Sequence, residues 1–112
     1  MIILLRVFFL VVLASMLWVT SWASLGQALW DFIESPAARD RWFIATLFDA
    51  YWGFLTFYIW VAYKETGLVA RVLWLIAILL LGNIAMAVYC LRELFRVPAG
   101  APLSSILLRR TP

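Results

Sequence analysis

Asp49 is the residue of this chain best placed to do chemistry. It stands in Phe48–Tyr63, FDAYWGFLTFYIWVAY, where half of the residues are aromatic. The surrounding stretch, Trp42 to Tyr63, is long enough to cross a bilayer. A carboxyl group inside a membrane helix is costly, so it normally has a partner or a task. Proton carriage, cation binding or half of a catalytic pair would each use it. The structural alternative is an Asp that holds Asn83 and an interfacial donor such as Trp42, Trp52 or Tyr51. A proton-coupled transporter would show a second coupling group and a broken helix, and the sequence displays neither. Glu65 lies about 24 Å further along the same helix, too far to form a carboxylate pair with Asp49 in one subunit. It is expected to pair at headgroup level with Lys64, Arg71 or Arg6.

Tyr51, Trp52, Phe57 and Trp60 make a second candidate feature. They could line a flat-sided groove for a carotenoid, quinone or isoprenoid, since such pockets are apolar with a few fixed polar groups. They serve equally as a lipid-facing or helix-packing surface.

Composition narrows the chemistry further. The chain has 112 residues, of which 67% are hydrophobic and 13% charged, with a mean hydropathy of +1.02. A soluble domain of this size cannot hide that much apolar surface, so a bilayer is the expected solvent. Seven Trp residues fit membrane–water interfaces. There is no His and one Cys, Cys90, which argues against haem or metal chemistry and excludes an internal disulfide. Cys90 has no base nearby in sequence and is read as inert. The net charge of +3 sits beside apolar helices, which favours lipid headgroups over nucleic acid. No cofactor is required by any motif.

The elements that position these residues are expected to be helical throughout: an all-α integral membrane protein with three spanning helices in one membrane domain. The first runs over about 2–22, with Arg6 snorkelling to the near headgroups. Its rival reading is a signal peptide, because Ser21-Trp22-Ala23 offers a cleavage-like pattern. An amphipathic interfacial segment over about 25–35 follows, with Leu25, Leu29, Phe32 and Ile33 at helical spacing, and Pro36 ends it. A packed loop fits those residues as well. The second helix covers about 42–63 and the third about 72–94, joined by the short turn Lys64–Arg71 into an antiparallel hairpin. Arg92, Glu93 and Arg96 close the third helix as an interfacial anchor. The tail over 98–112 is broken by Pro98, Gly100 and Pro102 and ends on an apolar patch with Arg109 and Arg110.

Depth arithmetic then links the polar residues. Asp49 lies about 21 Å from the hairpin turn and Asn83 about 18 Å. With Ser15, and with Trp18 nearby, they form one expected polar layer toward the side of the long loop and tail. Ala45, Asp49, Gly53 and Thr56 recur in steps of four, four and three, a packing face of small and polar residues. Three spans place Arg6, Lys64 and Arg71 on one side, with Arg39, Arg41, Arg92, Arg96, Arg109 and Arg110 on the other. The positive-inside rule then puts the long loop and C-terminus in the cytoplasm.

At LFDAYWGFLTFYIWVAYKE and LLGNIAMAVY the chain resembles an uncharacterised family of small bacterial membrane proteins, a domain of unknown function, over most of its length. The resemblance implies a three-helix protein of the bacterial inner membrane, with no activity assigned. More faintly, it is similar to small three-helix proteins near the carotenoid-cyclase and neoxanthin-synthesis families. In those, one acid begins a helix, another ends it, and an LRE-like sequence ends the next. Here these positions are Asp49, Glu65 and Leu91-Arg92-Glu93. The cyclase's proline-and-acid motif is missing, so no catalytic role carries over. The expected function is a non-enzymatic accessory or scaffolding subunit, in contact with membrane lipids and with a membrane-protein partner or further copies of itself. The alternatives are a carotenoid-, isoprenoid- or quinone-handling protein and a small oligomeric transporter using Asp49.

Overall fold

A computed structural model of the chain describes residues 1–109, so Arg110 and the last residues of the expected tail lie outside the described residues. The fold is all-helical. Among the described residues six α-helices follow in order: α1 (Ile2–Gly26), α2 (Leu29–Glu34), α3 (Arg41–Lys64), α4 (Leu68–Leu81), α5 (Asn83–Phe95) and α6 (Ser104–Leu107). A single 3₁₀ turn, Pro36–Arg39, separates α2 from α3.

Among the described residues, α1 and α3 are the two helices long and apolar enough to cross a membrane. The expected interfacial segment is shorter than its apolar spacing suggested. It amounts to α2, which buries none of its residues. Asp40 caps α3: its Oδ1 accepts from the backbone N–H of Trp42 at 2.9 Å and of Phe43 at 3.3 Å. Two of the orphan donors at the start of that helix are thereby satisfied.

The third expected span is not one helix. It breaks at Gly82, whose φ of 56° and ψ of −124° lie where only glycine is comfortable. The helical ladder is interrupted at that one residue. Gly82 N–H still closes α4 on Ile78 O at 2.7 Å, and Gly82 O accepts from Met86 N–H to open α5. The chain then doubles back. Trp74 of α4 meets Tyr89 of α5 with ring centroids 4.8 Å apart.

α4 runs antiparallel to α3, as Tyr58 Oη donates to Arg71 O at 2.8 Å and Tyr51 Oη to Leu79 O at 3.1 Å. α5 returns along α1, where Arg6 Nε and Nη2 bond Leu94 O at 3.2 and 2.9 Å. Each limb of this hairpin is about 20 Å long, too short to span hydrocarbon. Its tip reaches roughly the level of Asp49, and beyond it α1 and α3 go on without it.

The core lies inside the hairpin end. Val61, Ile78, Ala85 and Tyr89 are buried together, with Phe54, Phe57, Trp60 and Trp74 packed around them. A second cluster joins Ile2, Leu94 and Ile106, so α6 is seated against the start of α1 and the end of α5. At the other end Trp18, Trp22, Trp30 and Trp42 are all more than 70% exposed. Such a collar suits a membrane interface.

Candidate functional site

Doubling back changes which charges meet. The C-termini of α3 and α5 now lie side by side, and both helix dipoles present their negative ends there. Cations gather accordingly, and most of them cap carbonyls. Arg71 Nε serves Ala62 O at 3.0 Å and Glu65 O at 2.9 Å at the end of α3. Arg6 serves Leu94 O, and Val97 O at 2.7 Å, at the end of α5. Arg109 Nε serves Tyr63 O at 2.6 Å and lies over the Tyr63 ring.

Inside this ring two ion pairs cross. Lys64 Nζ lies 2.7 Å from Glu93 Oε1, with the two side chains only 2% and 3% exposed. Arg92 Nη1 lies 2.9 Å from Glu65 Oε1. The dipeptide Lys64-Glu65 thus answers Arg92-Glu93, base to acid in both directions. Arg96 adds a second contact to Glu93 at 3.3 Å, and Tyr89 Oη donates to Glu65 Oε1 at 3.2 Å. Lys64 Nζ also donates to Ile106 O, while Trp60 Nε1 donates to Leu107 O at 2.9 Å. No buried side-chain nitrogen or oxygen among the described residues lacks a partner. Burial makes such a network depend on completeness, because losing one member strands a charge.

Several expectations are corrected here. Glu65 takes Arg92, not Lys64, Arg71 or Arg6, as its ion-pair partner. Lys64 is buried against Glu93 rather than placed at a headgroup surface. Arg92, Arg96 and Arg109 share one end with Arg6, Lys64 and Arg71, against the two-sided partition expected from three spans. The hairpin's return brings them there.

The remaining candidates are placed as follows. Asp49 and Asn83 sit at similar heights by the register of Tyr51 with Leu79, but both are exposed, and no direct hydrogen bond joins them. Ser15 is exposed and bonds its own helix at Val12 O. Ala45, Asp49, Gly53 and Thr56 form an outward face of α3 that no other described element covers. Thr56 Oγ1 turns back to Trp52 O at 2.8 Å. Of the aromatic candidates, Phe57 and Trp60 pack edge-on against Tyr89, whereas Tyr51 and Trp52 are 43% and 66% exposed.

Between α1 and α3, floored by α5, runs an apolar groove of about 320 Å³. Leu5 and Phe9 make one wall and Phe57 and Trp60 the other, with Cys90 and Leu94 beneath. Leu103, Ile106 and Leu107 of the tail close its charged end. No group of His, Cys, Asp and Glu among the described residues is arranged to hold a metal.

A family model described as a protein of unknown function, DUF1475, matches residues 1–111. The chain belongs to the DUF1475 family. No curated protein and no solved structure matches it. For this DUF1475 member the crossed pairs and the groove are the features that combine burial, charge and space. Sequence reasoning missed the pairs because it placed Arg92 and Glu93 in the opposite interface. The available signal was the complementary order of Lys64-Glu65 and Arg92-Glu93.

Proposed function

We propose that this DUF1475 protein is a non-enzymatic accessory subunit of a bacterial cytoplasmic membrane. It would cross the bilayer with α1 and α3 and insert α4–α5 as a re-entrant hairpin. Six cations, Arg6, Lys64, Arg71, Arg92, Arg96 and Arg109, share the hairpin's base, against Arg39 and Arg41 at the far end. By the positive-inside rule the base then faces the cytoplasm and the connection over residues 27–40 the outside. Relative to the orientation expected from three spans, this exchanges the sides of the N-terminus and the long connection and keeps the C-terminus in the cytoplasm.

One observation carries the subunit reading. Asp49 sits about 12 Å inside α3 on an outward face with Ala45, Gly53 and Thr56, and no described side chain pairs with it. A carboxyl facing bare hydrocarbon costs several kcal/mol, so a polar contact from another chain is its natural complement. The small neighbours let that chain approach closely. Photocrosslinking from a benzoylphenylalanine at position 53, in native membranes, tests this. Discrete adducts of one mass, weakened by Asp49→Leu but kept by Asp49→Asn, are expected. Adducts to lipid alone would remove the basis for a subunit.

A further inference from the structure

We propose that the groove between α1 and α3 is a lipid site: it holds one acyl chain of an anionic phospholipid, whose headgroup lies against Arg109 and Arg6. The chain's own packing leaves this space open. α5 lies against α1 and α4 against α3, so the spans stay apart and a lateral gap faces the bilayer. Its lining is apolar on every side. At 320 Å³ it is at the lower end of ligand pockets, which run from roughly 300 to 1,000 Å³. A single acyl chain is much narrower than a helix, which is about 10 Å across with its side chains. A flexible single chain is the occupant that fits.

Charge complementarity selects the headgroup. Among the described residues around the groove's closed end, six cations face only the carboxylates Glu65 and Glu93. Those two acids are engaged by Lys64, Arg92 and Arg96. Arg6, Arg71 and Arg109 bond only carbonyls, so their charge is not neutralised. Arg109 stands two residues after Leu107, which lines the groove, and Arg6 follows Leu5, which also lines it. Their bonds hold both guanidiniums at the groove's charged end: Arg6 on Leu94 O, whose residue lines the floor, and Arg109 on Tyr63 O, three residues from Trp60 of the wall. The tail supplies the closure: Trp60 fastens Leu107, and Lys64 fastens Ile106. That leaves Leu103 and Leu107 as the apolar cap under the headgroup.

The site rests on the membrane reading above, not on the partner, and the two fail differently. Release of the protein from vesicles by alkaline carbonate would overturn membrane insertion and the site with it. The site itself is tested in nanodiscs of phosphatidylcholine containing a phosphatidylglycerol with a diazirine near its chain terminus. Labelling is expected on peptides bearing Phe9, Phe57 or Cys90, several-fold above that from the matching phosphatidylcholine probe. Arg109→Gln should lower it about fivefold, the equivalent of about 1 kcal/mol per basic residue at an anionic surface. Leu103→Trp should fill the groove and abolish the label while leaving thermal melting in place. Equal labelling by the two probes, labelling spread over the outer faces of α1 and α3, or a signal indifferent to Leu103→Trp would each overturn the proposal. So would a carotenoid or quinone recovered from the groove.

Discussion

Gly82→Ala separates the observed hairpin from a straight spanning helix by the sign of its effect. In a continuous helix, Ala replaces Gly with a gain of up to about 1 kcal/mol. At φ 56° and ψ −124° the same change strains the backbone, by about 1–3 kcal/mol. A Cβ there would also meet Phe54 Cζ at 2.7 Å and two further ring atoms at 3.2 and 3.3 Å. The ring can yield, but it already packs edge-on against Tyr51 at 5.2 Å, so crowding adds roughly 1–3 kcal/mol. The sum is a loss of roughly 2–6 kcal/mol. Gly53→Ala is the control: it is helical, with nothing within 4 Å of its would-be Cβ, and it should be neutral or stabilising. Unfolding in mixed micelles, followed by Trp fluorescence, gives both values. Adding Phe54→Leu should recover the crowding part and leave the backbone part. A Gly82→Ala protein as stable as the parent would refute the hairpin.

The other expectations concern the charged end and the orientation. Lys64→Met should cost about 3–5 kcal/mol by leaving buried Glu93 with Arg96 alone at 3.3 Å, while Lys64→Met with Glu93→Met should regain most of it; denaturant titration of the singles and the double decides. Arg6→Ala leaves carbonyls at Leu94 and Val97 without their donor and should cost about 1.5–3 kcal/mol, read by the same titration. A reporter fused after Pro112 should be active in the cytoplasm. Alkaline phosphatase activity at that position would reverse the assigned orientation.

Much of this was legible in the sequence, though not the chain reversal. Apolar length marked α1 and α3, and Pro36 marked the end of the interfacial segment, which closes at Glu34. The third span misled for a physical reason. Hydropathy sums apolar residues and is blind to direction, so fourteen residues in and thirteen out resemble one crossing. Gly82-Asn83 in mid-run was the visible clue, but a lone Gly is tolerated in membrane helices. Once direction is wrong, every pairing between residues 64–65 and 92–93 becomes unreachable, since such contacts belong to the fold and not to local spacing. Asp49 and Asn83 come to similar heights because Gly82 falls at the turning point. Their side chains still make no direct bond, because height does not fix azimuth.

The partial depth of the hairpin gives the molecule a taper. In the proposed insertion, four helices would fill the leaflet beside the charged base, and α1 and α3 alone would continue to the far interface. Each helix occupies a cross-section about 10 Å wide, so the body so inserted would displace about twice the area in one leaflet that it does at the opposite surface. An inclusion of that form relieves bending stress where the bilayer is already curved toward its narrow face. In vesicles of graded diameter the protein should partition unevenly, with the preferred sign of curvature set by which way the charged base points.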